Sequence, residues 1–210
     1  NINIGLANEM AILCNRMGID VWEVIDAAKT KPYGFMPFYP GPGLGGHCIP
    51  LDPFYLEWKA KEYDYHTRLI ETSGEINDSM PEFVLDNVMK ILNKHKKALN
   101  GAKVLLLGVA YKNDIDDYRE SPAFKVIELL EKNGADLMVN DPYCPVSKYK
   151  DKTYHSVDWK EVIDDSDIVI ITTNHSCYDY EAIVERAKVV YEYLYRQIED
   201  KYVRETIDFL

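Results

Sequence analysis

No uninterrupted apolar run of about 18 residues occurs in this chain, so nothing in it reads as a membrane-spanning helix. There is no secretory leader either, although the first residue is Asn1 rather than Met, so the natural start is expected to lie upstream. Basic residues are in deficit: 24 Lys and Arg face 35 Asp and Glu, and a net charge of −11 argues against unspecific nucleic-acid binding. The four cysteines, Cys14, Cys48, Cys144 and Cys177, form neither a CxxC pair nor a metal-ligand spacing. That excludes a thioredoxin-like redox motif, and free thiols fit a cytoplasmic chain. None of the apolar strand-like runs in the chain is followed by G-x-G-x-x-G, so no sheet in the chain carries a dinucleotide fingerprint.

What is present is enough apolar material, 47% of 210 residues, for one good core or two small ones. Asn1 to Gly18 reads as a helix with Leu6, Met10, Leu13 and Met17 on one face, and Gly18 reads as its terminator. Asp20 opens a second helix that runs to about Thr30. From Tyr65 to Lys97 the pattern is again helical, with a restart expected at Ser79-Met80-Pro81, where serine can cap and proline is tolerated early. At Asn100-Gly101 the character changes. Lys103 to Gly108, Asp136 to Asn140 and Asp167 to Thr172 read as strands, separated by helices opening at Ser121-Pro122 and Asp158. The expected fold class is therefore α/β: a helical unit over residues 1–97, then a Rossmann-like parallel sheet over 98–190. Ligands of such a sheet sit outside the carboxyl ends of its strands, where Tyr111, Lys112 and Arg119 would lie.

One loop stands out chemically. Pro40-Gly41-Pro42-Gly43-Leu44-Gly45-Gly46-His47-Cys48 leads into Asp52-Pro53, which read as N-cap and first position of a helix through Tyr63. Glycines let a main chain come close to a ligand. Cys48 would face the positive end of that helix, which favours thiolate over thiol, with Asp52 opposing part of the effect.

The motif G-P-G-x-G-G-H-C-I-P-x-D-P is similar to the active-site signature of the UDP-glucose/GDP-mannose dehydrogenase family. A second stretch, Gly108-Val109-Ala110-Tyr111-Lys112 followed by Arg119-Glu120-Ser121-Pro122, resembles the signature of the same family's UDP-binding domain. The resemblance covers Asn1 to about Val190 and is greatest to the branch acting on UDP-N-acetylhexosamines, with UDP-N-acetylglucosamine favoured. It implies oxidation of the sugar C6 alcohol to a carboxylate with two NAD+, through a thiohemiacetal and a thioester on Cys48, with Asp52 assisting hydrolysis. It further implies substrate contacts from Tyr39, Gly41, Gly43, Leu44, Gly45, Tyr111 and Lys112, cofactor contacts from Leu51 and Arg119, and a homodimer built through the helical unit. The family's NAD-binding domain and an assisting Lys and Asn precede the region matched. The chain is thus expected to be a portion of such an enzyme, inactive alone; the alternative is a non-catalytic UDP-sugar-binding or dimerisation module.

Blander readings stand beside these. Phe35 and Phe38 read equally as core. Arg119 could pair with Asp116, Asp117 or Glu120. Asp114, Asp116 and Asp117 lack EF-hand spacing and read as a solvated acidic loop, and His47 has no further ligand spaced to hold a metal. His175 and Cys177 either line the nucleotide pocket or cap a strand end. The segment 191–210 departs from the family's Asp-Thr-Arg type continuation, and Leu194, Ile198 and Tyr202 fall at helical spacing.

Overall fold

Four helices come first in the computed structural model, which describes residues 1–192 and the backbone of 207–209. Helix α1 (Ile2–Met17) ends where Gly18 turns left-handed at φ 68°, letting the N–H groups of Gly18 and Ile19 reach the carbonyls of Asn15 and Cys14. Its buried face is not the expected one. Leu6, Leu13 and Met17 are exposed, and the helix instead buries Gly5, Ala7, Asn8, Ala11 and Cys14. Small side chains let α1 lie close along α4 (Arg68–Lys94), and that close approach overrides the preference for burying the larger residues. Helix α2 (Val21–Lys29) starts as expected, with the Asp20 carboxylate accepting from the Trp22 N–H at 2.8 Å.

Helix α3 (Asp52–Lys61) begins one residue earlier than expected, because Leu51 occupies the cap position and Asp52 already lies in the first turn. Helix α4 (Arg68–Lys94) is 27 residues long and passes through Pro81 without restarting. Ser79 does not cap; its hydroxyl donates to the Ile76 carbonyl at 2.7 Å. Pro81 has no N–H to give to the Asn77 carbonyl four residues back, yet burial on both sides of the break carries the helix through. Ser73 and Asn77 are buried in the N-terminal half, whereas Val84, Val88, Ile91 and Leu92 belong to the core of the following sheet. Burial of such side chains contributes about 2 kcal/mol apiece.

The sheet is parallel throughout, in the order β2 (Asp136–Asn140), β1 (Lys103–Leu107), β5 (Ile168–Ile171), β6 (Val190–Glu192), β7 (Ile207–Phe209). Val104, Leu106, Ile168 and Ile170 face α4 and α5 (Ala123–Lys132). Leu105, Leu107, Val169 and Ile171 face the opposite layer, made by α6 (Trp159–Val162), its short 3-10 continuation and α7 (Tyr180–Arg186). Covering on both faces explains why β1 and β5 read as continuous apolar runs. An antiparallel hairpin of β3 (Val146–Tyr149) and β4 (Lys152–His155) was not expected; Tyr149 stacks on Phe124 of α5 at 5.0 Å between centroids. Tyr191 and Glu192, expected to begin the divergent tail, lie in β6, while Leu194, Ile198 and Tyr202 fall outside the described residues. Among the described residues no helix is long and apolar enough to cross a membrane.

Glu192 is 2% exposed, and neither carboxylate oxygen has a hydrogen-bond partner among the described residues. Burial pushes its carboxyl up from 4.5 to about 8. An acid whose pKa is raised on folding contributes most below its unfolded pKa, and that contribution is lost as pH rises through the folded value. Glu192→Gln should therefore gain stability over the parent progressively between about pH 5 and 8, to on the order of 4 kcal/mol. Urea unfolding of both proteins across that range measures it; a difference that stays constant with pH refutes the assignment.

Candidate functional site

Strand β1 delivers the chain to the carboxyl edge of the sheet and then turns hard at Gly108, where φ is +88°. A Cβ at Gly108 would lie 2.5 Å from both the Cβ and the carbonyl oxygen of Thr173, so only glycine fits. The next two N–H groups, of Val109 and Ala110, donate to Asp141 Oδ2 at 2.6 and 2.9 Å, and the Thr173 hydroxyl donates to the Ala110 carbonyl at 2.6 Å. Tyr111 and Lys112 follow immediately, half-buried and exposed respectively.

The glycine loop approaches from the helical side. Its anchor is a chain of buried amides: the Gly41 N–H donates to Asn8 Oδ1 at 2.9 Å, the Asn8 amide to Asn77 Oδ1 at 2.8 Å, and the Asn77 amide to Asn1 Oδ1 at 2.7 Å. Asn8 and Asn77 are both fully buried. At Gly45 an added Cβ would come within 2.8 Å of the Tyr111 Cβ, so the two loops touch. Between them lies a cleft of about 300 Å³, walled by Tyr39, Gly41, Gly43, Leu44 and Gly45 on one side and Tyr111 and Lys112 on the other. Ala110, Thr172, Thr173 and Asn174 form its floor at the strand ends. Tyr39 belongs to wall and core together, since its ring stacks on Trp22 at 5.6 Å.

Cys48 is exposed, next to Ile49, which lines this cleft. Its carbonyl accepts from the N–H groups of Leu51 and Asp52 at 3.2 and 2.9 Å, so the thiol-bearing turn runs directly into α3. Leu51 is 49% exposed and Asp52 is exposed. Arg119 lies elsewhere, in a second cavity of about 620 Å³ that shares Gly43 and Leu44 with the first. Its guanidinium grips Asp117 through two bonds, Nε to Oδ1 at 2.9 Å and a terminal N–H to Oδ2 at 2.8 Å, and this holds the Asp117 carboxyl down to about 2. The cation nevertheless remains 70% exposed. Phe35 and Phe38 are not core: they line an apolar groove with Leu6 and Met10, and Phe35 is 42% exposed.

His175 resolves to a brace rather than a pocket wall. It is fully buried, with Nε2 3.1 Å from Asp141 Oδ2, while Cys177 is exposed. Asp141 is buried too, which by itself would raise its carboxyl, but the bonds from His175, Val109 and Ala110 outweigh burial and lower it. The acidic loop is partly tied, with Asp114 Oδ1 accepting from the Ser176 N–H at 2.8 Å. Among the described residues no three His, Cys, Asp or Glu side chains converge as metal ligands. Asp141 and the Asn8 amide chain escaped the sequence reading. The available signals were an Asp-Pro placed directly after β2 and a polar Thr172-Thr173-Asn174 run directly after β5.

Residues 1–79 match the family model described as the central domain of the UDP-glucose/GDP-mannose dehydrogenase family, and residues 105–195 match that family's UDP binding domain. The UDP-N-acetyl-D-mannosamine dehydrogenase of Methanocaldococcus jannaschii is 39% identical over 178 residues, which is 85% of this chain and 38% of that protein. The UDP-N-acetyl-D-glucosamine 6-dehydrogenase of Pseudomonas aeruginosa is 40% identical over 143 residues, covering 68% of this chain and 33% of the relative. Among solved structures, a UDP-D-ManNAc dehydrogenase from Pyrococcus horikoshii superposes with a TM-score of 0.84 at 30% identity, over 99% of this chain and 48% of that one. The chain thus spans less than half the length of the relatives it matches.

Asn8→Ala removes the acceptor of Gly41 and the donor to Asn77 at one stroke, inside a site with no water access. The expected cost is about 2–3 kcal/mol of stability, read as a lowered urea midpoint. A loss below about 0.5 kcal/mol would show that the amide chain does not hold the glycine loop.

Proposed function

This chain belongs to the UDP-glucose/GDP-mannose dehydrogenase family, and from that premise we propose that it carries the nucleotide-sugar site and the nucleophile of a UDP-N-acetylhexosamine 6-dehydrogenase. One observation carries the reading: the glycine loop from Tyr39 to Gly45 meets Tyr111 and Lys112 in a single cleft, at whose edge the Cys48 turn begins. Lys112 is an exposed cation suited to the diphosphate, Tyr111 offers a ring face, and the glycine loop brings main chain close to the sugar.

In the proposed reaction the C6 alcohol loses a hydride and a proton to become an aldehyde. The Cys48 sulfur adds to the aldehyde carbon, giving a thiohemiacetal. Loss of a second hydride from carbon, with the hydroxyl proton, turns this into a thioester, and water activated by Asp52 breaks the carbon–sulfur bond, releasing the carboxylate and returning the thiol. NAD+, the cofactor that the family implies, would supply the hydride acceptor when bound, one molecule for each of the two oxidations. Arg119 suits contact with its pyrophosphate, being an oriented and largely exposed cation, and Leu51 is exposed beside the Cys48 turn. The crossover after β1 does not suit its cradle, because the N–H groups of Val109 and Ala110 are already taken by Asp141. The dinucleotide is therefore not held by this sheet.

We further read the molecule as a helical unit (1–97), a UDP-binding unit (98–190) and a divergent segment (191–210), working as a homodimer in the cytoplasm. The exposed apolar side chains of Leu6, Leu13 and Met17 on α1 and of Tyr55, Leu56 and Trp58 on α3 support a partner on the helical unit. Four free thiols fit a reducing compartment.

Calorimetric titration of the chain with UDP, UDP-N-acetylglucosamine and UDP-N-acetylmannosamine tests the site. Saturable binding is expected, weakened at least about tenfold in Lys112→Ala, which is the loss of one charge-assisted contact of roughly 1.4 kcal/mol or more. Cys48→Ala should leave UDP affinity within about twofold. The ratio of the two sugar nucleotides reports the epimer preference, with UDP-N-acetylglucosamine favoured by the family resemblance. Folded protein that binds none of the three refutes the proposal.

A further inference from the structure

We propose that the buried Asp141–His175 pair is the positioning device for Tyr111 and Lys112, a role that rests on the reading of their cleft as the nucleotide-sugar site. The two residues touch opposite ends of the loop that carries the ligand-facing side chains. Asp141 Oδ2 accepts from the N–H groups of Val109 and Ala110, just before Tyr111. His175 Nδ1 accepts from the N–H of Asp114, two residues after Lys112, at 2.9 Å. The two anchors are then joined to each other, His175 Nε2 to Asp141 Oδ2, at 3.1 Å.

Proton placement follows from these partners. Nδ1 receives a backbone N–H and must present its lone pair, so the ring hydrogen sits on Nε2 and is donated to the carboxylate. Asp141 Oδ1 is meanwhile occupied by the N–H groups of Tyr143 and Cys144 at 2.9 and 3.0 Å, which ties the carboxylate to the end of β2. The pair therefore joins three strand ends: β1 through Val109 and Ala110, β2 through Asp141 itself, and β5 through His175. Neither residue lines the cleft, and both side chains are wholly inaccessible. Their effect on a ligand has to pass through the short stretch from Tyr111 to Asn113 suspended between the anchors. Tyr111 also donates its N–H to the Asp117 carbonyl at 3.0 Å and touches the glycine loop at Gly45, and Lys112 has no ion pair among the described residues. Without the pair, the two ends of that stretch keep the bonds from the Thr173 hydroxyl to Ala110 and from the Ser176 N–H to Asp114 but lose the tie that joins them to each other.

Two readouts test this. The first is a double-mutant cycle on UDP affinity with His175→Ala and Lys112→Ala. If His175 acts by placing Lys112, His175→Ala weakens UDP at least about tenfold, and the double variant binds no more weakly than Lys112→Ala alone. Losses that multiply would overturn the proposal. His175→Gln, which keeps a donor towards Asp141, and His175→Asn, which keeps an acceptor towards Asp114, should each restore part of the affinity, and they replace the alanine variant should it fail to fold. The second readout needs no ligand, so it survives failure of the nucleotide-sugar reading. Amide hydrogen exchange in the variant should accelerate from Val109 to Asp114 while the β5 amides keep their protection. Unchanged exchange in that loop, or uniform acceleration through the sheet, would overturn the positioning role.

Discussion

Helix α4 is the member on which the rest of the arrangement depends, because one uninterrupted rod belongs to two cores. Its first half is buried against α1, where Asn77 meets Asn8, and its second half, from Val84 to Leu92, is part of the layer that covers the sheet. A rigid element shared in this way sets the distance between the glycine loop and the strand ends. The loop hangs from Asn8 and so from α4, while Tyr111 projects from β1, whose Val104 and Leu106 pack on the same helix. Contact between Gly45 and Tyr111 is the geometric result. Had α4 broken at Pro81, as a local reading of Ser79-Met80-Pro81 favours, the two halves of the cleft would have been free to hinge.

That misreading shows what local rules can and cannot supply. Caps and strands with strong local signals were legible: Asp20 and Asp158 each accept an N–H two residues on, and the apolar runs from Lys103 and Ile168 are strands buried on both faces. The residues proposed to face the ligand were named for a different reason. The family resemblance singled them out, with the glycines and the lysine after a strand end fitting that task, and Tyr39 to Gly45 and Tyr111 to Lys112 line one cleft. Arg119, read as a contact to the cofactor rather than to the sugar nucleotide, lines the adjoining cavity, where it is bonded to Asp117. What failed depended on partners distant in sequence. The buried face of α1 is chosen by α4, 69 residues away along the Asn8–Asn77 bond, and the choice favours alanine and glycine over leucine and methionine. His175 could not be assigned because its partners, Asp114 and Asp141, lie on two other strand ends.

Two buried carboxylates in the same sheet illustrate how placement sets chemistry. Asp141 lies just beyond the end of β2, where loop N–H groups converge, and collects five donors; its carboxyl is pulled down despite burial. Glu192 lies within β6, whose N–H groups are committed to the parallel ladder, and finds none; its carboxyl is pushed up to about 8. Desolvation acts on both, and the supply of donors decides the sign.

The same supply of donors bears on how an anionic ligand is recognised. In a glycine-rich dinucleotide crossover the free N–H groups after the first strand receive phosphate. In this chain those groups, on Val109 and Ala110, face inward to Asp141, so an internal carboxylate already occupies the place that a phosphate would take. The crossover has exchanged anion binding for rigidity. Any phosphate in the cleft must then be met by a side chain rather than by main chain at this edge, and Lys112 is the cation that the cleft presents. The lack of G-x-G-x-x-G after β1 and the presence there of Tyr111-Lys112 are thus two consequences of one choice: a backbone tied to Asp141 needs a cation on a fixed stem, and His175 fixes the far end of that stem.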